Sequence, residues 1–143
     1  MEENLINKEI IGLKKHLQTF LNESFKEHNL KSAEIQVIHI LSILGEESQA
    51  ELAKKLNCDK SHIHRTVFKL LLKKIIIFSN NENKRKIKIL LTEYGKEIAE
   101  KINKKIKDWK LKITEGISKE EIEITKVVFQ KIIDNINKED KNV

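Results

Sequence analysis

The chain has 143 residues, of which 39% are apolar and 35% are charged, and its formal net charge is +6. That length supplies one modest hydrophobic core and little room for two, so we expect a single domain over residues 1–143. The single cysteine excludes an internal disulfide. The chain also shows neither a membrane-spanning apolar run nor a signal sequence, so we expect a cytoplasmic protein without membrane association.

Helices are predicted for most of the chain, because it contains no proline, four isolated glycines and abundant Ile, Leu, Lys and Glu. The first predicted helix runs from Leu5 to about Phe25, where apolar residues recur at steps of three and four. A second helix is predicted from an N-cap at Ser32 to Leu44, with Gly45 as its C-cap.

Two shorter helices follow. Ser48 and Glu51 have the spacing of a capping box, which predicts a helix over 49–56. After a turn, Asp59 is a predicted N-cap for a helix that extends to about Lys73. Its apolar residues share one side, whereas its polar and cationic residues face outward. Two helices joined in this way predict a helix-turn-helix whose second helix enters a DNA major groove. The inward residues are Ile63, Val67, Leu70 and Leu71; the outward ones are Ser61, His62, Arg65 and Lys69, with His64 on the flank.

A β-hairpin is predicted next. Ile75–Phe78 forms one short β-branched run, and Ile87–Leu91 alternates as the second. The turn-rich loop between them ends in Lys84, Arg85 and Lys86. Beside a helix-turn-helix such a hairpin is a wing, and its long cationic side chains can reach phosphates or a narrow minor groove.

Positive charge is concentrated in residues 60–88, which we call the basic segment. It holds nine Lys or Arg residues and one acid, for a net charge of +8, whereas the rest of the chain has 19 basic and 21 acidic residues. All of the excess positive charge therefore lies in one fifth of the chain, as expected for a surface that binds a polyanion.

Two long helices complete the chain. Thr92 caps the first, which carries isoleucines and Trp109 on one side to Ile113, and a capping box at Ser118 and Glu121 starts the second. The last residues, 137–143, are charged and expected to fray. The apolar stripes at both chain ends exceed the needs of one small domain, which predicts a helical dimer interface.

The order of these elements resembles the MarR family of winged helix-turn-helix regulators over nearly the full length. The most specific parts are Glu51-Leu52-Ala53 to Asp59-Lys60-Ser61, and Leu91-Thr92-Glu93-Tyr94-Gly95 after the wing. The resemblance implies a mostly α fold with a small β-hairpin wing, a winged helix-turn-helix over 32–91 and dimerisation helices over 1–28 and 92–143. It also implies an obligate homodimer on a pseudo-palindromic double-stranded DNA operator. Such a transcription factor is most often a repressor, and some relatives are released by a small-molecule effector.

The resemblance also assigns DNA-contacting positions. Ser61, His62, His64 and Arg65 match base- and phosphate-contacting positions of the recognition helix, and Arg85 matches the arginine at the wing tip. The other residues that we predict to contact DNA are Lys60 and Lys69 in the recognition helix, Lys84 and Lys86 in the wing, and Gln49 and Lys54 in the first helix of the helix-turn-helix.

The chain departs from the family pattern in three respects, which involve four positions. Asn83 replaces an aspartate that braces the wing arginine, so the brace becomes at best a neutral hydrogen bond. Lys74 replaces a glycine at the end of the recognition helix, where a left-handed lysine would cost about 1 kcal/mol. His62 and His64 replace small hydroxyl residues, which bears on the operator sequence.

The residues give weaker indications of metal binding, redox sensing and effector binding. His62 and His64 diverge on a helix and cannot grip one metal together, and the other histidines are scattered, so we predict neither a metal nor a cofactor. Cys58 has two interpretations, a redox-sensing thiol with a lowered pKa or a partly buried turn residue. The second is favoured, because oxidant-sensing members of the family carry their cysteine in the first helix and this chain has none there. Trp109 and Phe129 are predicted core or interface anchors, or alternatively the lining of an effector pocket that no residue pattern locates.

The chain has no Gly-rich phosphate loop and no metal-ligand spacing, so we do not expect an enzyme. The alternative to a DNA-binding regulator is a winged-helix module whose basic wing contacts an acidic protein.

Overall fold

The computed structural model describes residues 3–79 and 87–141, with side chains placed for 7–79 and 87–139. These residues form six α-helices, one 3-10 helix and three short strands, which confirms the predicted mostly α fold with a small β-hairpin. The elements in chain order are α1 Glu3–Ser24, a 3-10 helix Lys26–His28, α2 Ser32–Leu44, β1 Glu46–Glu47, α3 Gln49–Lys55, α4 Lys60–Leu72, β2 Ile76–Phe78, β3 Ile89–Leu91, α5 Glu93–Ile113 and α6 Lys119–Lys141.

The chain divides into two compact units, one that ends at Ile106 and one that begins at Lys107. The first unit has a continuous hydrophobic core built from one side of each helix. Its most deeply buried large side chains include Leu21 of α1, Ile38 of α2, Leu52 of α3, Leu70 of α4 and Ile102 of α5. These residues occupy the apolar stripes that the sequence shows, so helical periodicity predicted the buried side of α2 to α5 and of the C-terminal part of α1.

The strands form a three-stranded antiparallel sheet in the order β1-β3-β2. In the predicted hairpin, Phe78 pairs with Ile89, and the ladder continues to Ser79, whose N–H donates to the Lys88 carbonyl over 2.7 Å. The third strand, β1, was not expected, because Glu46 and Glu47 have low strand propensity. Pairing with β3 across the sheet holds them extended.

Most predicted helix caps are present. Ser48 Oγ accepts from the Glu51 N–H over 3.1 Å and Glu51 Oε2 accepts from the Ser48 N–H over 3.2 Å, so the capping box of α3 is complete. Gly45 ends α2 with φ +86°. Ser32 was wrongly predicted as the N-cap of α2. It is the first helical residue, and its N–H donates to Asn22 Oδ1 over 2.7 Å, because α1 supplies the acceptor from ten residues away.

The Leu-Thr-Glu-x-Gly motif joins the start of α5 to the start of β2. Thr92 Oγ1 accepts from the Gly95 N–H over 2.9 Å, as expected of a cap, and the Thr92 N–H donates to the Ile75 carbonyl over 3.0 Å. A Cβ at Gly95 would overlap the Ile75 carbonyl oxygen. Glycine is therefore required here by the close approach of two backbones.

The second unit contains the end of α5 and the whole of α6. Gly116 turns the chain with φ +78°, and Ser118 Oγ accepts from the Glu121 N–H over 3.1 Å at the start of α6. Helix α6 continues to Lys141 and so includes most of the segment that was expected to fray. No helix in the described ranges is long and apolar enough to cross a membrane.

Candidate nucleic-acid interface

Helix α4 is held by its apolar side. Ile63, Val67 and Leu70 are at most 2% exposed in the core, and Thr66 Oγ1 donates to the His62 carbonyl over 3.0 Å. At the N-terminus, Asp59 Oδ1 accepts from the His62 N–H over 2.7 Å, which confirms the predicted cap. The burial of one side fixes the rotation of the helix about its axis, and so determines which residues face solvent.

All of the residues predicted for the recognition helix face solvent. The exposed side chains are Lys60, Ser61, His62, His64, Arg65 and Lys69. A cavity of about 540 Å³ lies between the starts of α3 and α4, and Gln49, Lys60, His64 and Arg65 are among the residues that line it. The structure thus brings Gln49 to the recognition helix, while Lys54 is exposed in the last turn of α3. The Gln49 amide and the cations of Lys60 and Arg65, which line this cavity at the positive end of a helix, are suited to phosphate oxygens and base edges.

Two lysines of the basic segment form ion pairs with glutamates of the same chain. Lys73 Nζ donates to Glu34 Oε2 over 2.6 Å and to the Asn29 carbonyl over 2.5 Å. Lys88 Nζ donates to Glu51 Oε1 over 2.9 Å. The sequence count of nine basic residues therefore overstates the charge offered to a polyanion. No sequence signal identifies these two, since their partners lie 39 and 37 residues away.

The base of the wing is tied to α3 through Glu51. This carboxylate caps α3 with one oxygen and receives Lys88 with the other, and the Lys88 N–H donates to Ser79 Oγ over 2.9 Å. Hydrogen bonding with the Glu47 carboxyl, then with Lys88 and the Ser48 N–H, lowers the pKa of Glu51 from 4.5 to about 2. The same pairing with Glu51 raises the pKa of Lys88. Lys84, Arg85, Lys86 and Asn83 lie outside the described residues.

Two predictions for the turns around α4 have clear outcomes. Lys74 adopts φ +60°, so the left-handed lysine inferred from the missing glycine is present. Cys58 is half-buried in the turn before α4, and burial, followed by the charge of Asp59, raises the pKa of its thiol. A raised pKa is the opposite of what an oxidant-sensing thiol requires, and it favours the turn-residue interpretation.

Two exposed residues on α4, Phe68 and Leu72, were absent from the predicted contacts. Phe68 is 55% exposed and follows Arg65 by three positions, on the same outward side. The helical spacing could have identified them, because positions 61, 65, 68 and 72 form one stripe at 100° per residue.

The first unit also contains a cavity of about 610 Å³. Helices α2 and α5 and strand β3 line it, with contributions from Leu41, Leu91 and Asn103. At its edge, His39 Nδ1 and Asn103 Oδ1 are 2.7 Å apart, and Asn103 Nδ2 donates to Ser42 Oγ over 3.2 Å.

In the second unit, Trp109 is half-buried and Phe129 is 43% exposed. Across the described residues no group of three His, Cys, Asp or Glu side chains could hold a metal ion.

Solved structures with the same arrangement of elements are regulators of one family. A MarR/EmrR-family transcriptional regulator from Acinetobacter sp. ADP1 superposes with a TM-score of 0.86 and 22% identity, over 96% of this chain and 97% of that one. A protein from Listeria monocytogenes assigned to the MarR family of transcriptional regulators, in complex with 26mer DNA, gives 0.85 and 22%, over 92% and 89%. The reduced form of MarR from E. coli gives 0.71 and 20%, over 88% and 94%.

No protein-family model matches the sequence. At these identities the likeness concerns the course of the backbone, and it covers nearly the whole of each chain. The chain has the winged helix fold of the MarR-family transcriptional regulators.

Proposed function

We propose that this protein is a MarR-family transcription regulator that binds double-stranded DNA in a sequence-specific manner in the cytoplasm. The observation that carries the proposal is the two-sided character of α4. Its apolar side is locked into the core, whereas its first turns present cationic and polar side chains beside Gln49. A rigid helix with such an outer side matches the width and chemistry of a major groove.

Each exposed side chain has a role in this proposal. Arg65 donates two hydrogen bonds to a guanine edge, and Ser61, His62 and His64 contact neighbouring bases or phosphates. The remaining contacts, from cations and the Gln49 amide to the phosphate backbone, position the protein on the duplex. Their residues are Lys60 and Lys69 of the recognition helix, Gln49 and Lys54 of α3, and Lys84, Arg85 and Lys86 of the wing.

The functional unit in this proposal is a homodimer, with residues 32–91 binding DNA and residues 1–28 and 92–143 forming the dimer contacts. Two separate observations support it. In the first unit, α1 exposes Ile11 by 66% and Leu13 by 56%. In the second unit, α6 exposes an apolar series that includes Ile124, Val127 and Phe129. Exposed apolar surface of this extent marks interfaces. A twofold dimer would place two α4 helices about 34–36 Å apart on a pseudo-palindromic operator.

The regulator acts as a repressor in this proposal, and a small molecule releases it from the operator. The 610 Å³ cavity supports an effector site, because it has the volume of ligand pockets and combines apolar walls with the polar Asn103 and Ser42.

The experiment is a gel shift with DNA from upstream of the gene and with random DNA, at two salt concentrations. Specific binding should weaken with salt by about one unit of log–log slope per neutralised phosphate. Arg65→Ala should remove the preference for the operator, whereas Lys84→Ala should weaken both DNAs alike. Retained preference in Arg65→Ala would contradict the base-reading role. Binding of an acidic protein without any DNA binding would instead support a protein-contact module.

A further inference from the structure

An aromatic side chain lies within the cationic outer side of α4. Phe68 is 55% exposed, and the next residue on the same stripe, Leu72, is 68% exposed. Exposed cations adjoin them, namely Arg65 one turn earlier and Lys69 next in sequence. Phe68 and Leu72 together present a small apolar patch among cations, and contact with a partner would bury it.

The position of Phe68 on the helix specifies what covers it. The inward side of α4 is formed by its four buried residues, Ile63, Thr66, Val67 and Leu70. At 100° per residue, Phe68 lies within about 40° of the direction opposite to that side, and so do Ser61 and Arg65. Any duplex that contacts Ser61 and Arg65 along their shared stripe therefore meets Phe68.

Only one apolar group is available on the major-groove edge of the bases, the 5-methyl group of thymine. Phosphates are anionic, and the other major-groove base groups are mainly hydrogen-bond donors and acceptors, so an aromatic ring gains little from either. We propose that Phe68 is a specificity-determining residue that selects thymine by contact with its 5-methyl group. This inference rests on the proposed DNA-binding function.

The helix geometry also places the thymine in the operator. Arg65 and Phe68 are separated by about 4.5 Å along the helix axis, and base pairs stack about 3.4 Å apart. The thymine read by Phe68 lies within about two base-pair steps of the base that Arg65 contacts. Because the dimer is twofold, the same thymine occurs in both half-sites.

The test begins with duplexes selected from a random pool by the full-length protein. Each selected thymine is then replaced by deoxyuridine, which lacks the methyl group and keeps every hydrogen-bonding atom. We expect the wild-type affinity to fall about fourfold when one such methyl group is removed, and about fifteenfold when both half-sites are changed. The thymine and deoxyuridine duplexes should bind Phe68→Ala equally well.

Three variants separate this role from others. Phe68→Leu keeps an apolar side chain and should retain part of the thymine preference. Lys69→Ala is the matched control on the same exposed side, and it should lower the affinity and the salt slope while the penalty for deoxyuridine persists. Circular dichroism and sedimentation should give unchanged folding and assembly for Phe68→Ala, because the ring is exposed.

The possible results are distinguishable. Equal wild-type binding of thymine and deoxyuridine duplexes would overturn the inference, and so would a deoxyuridine penalty that persists in Phe68→Ala. Altered assembly of Phe68→Ala without DNA would assign the ring to a protein contact and overturn it as well. If the wild-type protein binds no duplex even at low salt, it is the proposed function that fails.

Discussion

Replacement of Lys73 by methionine tests whether this cation belongs to the fold or to the DNA surface. In the structure its ammonium contacts Glu34 over 2.6 Å, where the glutamate side chain is 4% exposed and the lysine side chain 26%. Methionine preserves most of the aliphatic stem but removes the charge. The Glu34 carboxylate would remain buried, with the Lys31 N–H at 3.4 Å as a described donor.

The expected loss of stability follows from this burial. Removal of one member of a buried ion pair costs roughly 3–5 kcal/mol, because the other charge is left without compensation. Since about a quarter of the Lys73 side chain is exposed, we expect the lower end, about 3 kcal/mol. For a chain of this size that corresponds to a fall in Tm of roughly 6–12 °C. The double variant Glu34→Gln/Lys73→Met leaves no buried charge and should lose only about 1 kcal/mol.

The assay is urea unfolding of the wild type, Lys73→Met and the double variant at one protein concentration. The gel-shift salt slope is then measured for each protein. Because Lys73 is turned toward Glu34, the slope should remain that of the wild type, whereas Lys69→Ala should reduce it by about one unit. Lys73 would not belong to the fold if the double variant were as unstable as Lys73→Met, or if Lys73→Met alone lowered the salt slope by one.

The other predictions concern the start of α5, the end of α4 and the base of the wing. Gly95→Ala should destabilise the protein by about 3 kcal/mol or more, because the new Cβ would overlap the Ile75 carbonyl oxygen. Lys74→Gly should raise stability by up to about 1 kcal/mol, since glycine adopts φ +60° without strain. Glu51, whose pKa falls from 4.5 to about 2 in the folded protein, should stabilise the fold above pH 4.5 and lose this contribution as the pH falls toward 2. Lys88, the partner of Glu51, has a pKa raised above the ordinary value of 10.5 in the folded protein. Its contribution to the stability of the fold should therefore be lost as the pH rises above 10.5.

Thermal or urea unfolding measures all three effects, each with a matched control. Gly12→Ala tests a glycine whose Cβ meets nothing within 4 Å, and it should be tolerated. Lys74→Ala removes the side chain but keeps the left-handed strain, so a gain equal to that of Lys74→Gly would contradict the backbone explanation. Glu51→Gln should reduce the fall in the free energy of unfolding between pH 4.5 and 2. An unchanged fall would show that other carboxylates cause it.

Local features of the sequence predicted the elements well. The Ser48 and Asp59 caps join groups three residues apart, and the apolar side of α4 follows from a period of 3.6 residues. Such interactions are complete within one or two turns, so the order of residues is sufficient to identify them. The left-handed Lys74 followed from the family resemblance, because a glycine commonly ends the recognition helix there and the residue that replaces it keeps φ +60°.

Contacts between distant segments were not predictable in this way. The strand at Glu46 and Glu47 exists because β3 pairs with it. The N-cap assigned to Ser32 was wrong because Asn22 of another helix supplies the acceptor. In each case the deciding partner belongs to a different element, and residue order carries no signal for it.

The sequence by itself determined where the helices and the hairpin lie, which side of each helix is apolar, and that positive charge is concentrated in residues 60–88. Only the tertiary structure decided how that charge is used, because it pairs Lys73 with Glu34 and Lys88 with Glu51 and leaves Lys60, Arg65 and Lys69 exposed. The physical reason is the distance along the chain over which each kind of interaction acts. Helix propensity, capping and periodicity act over a few neighbouring residues, whereas ion pairing and burial depend on which distant segments the folded core brings together.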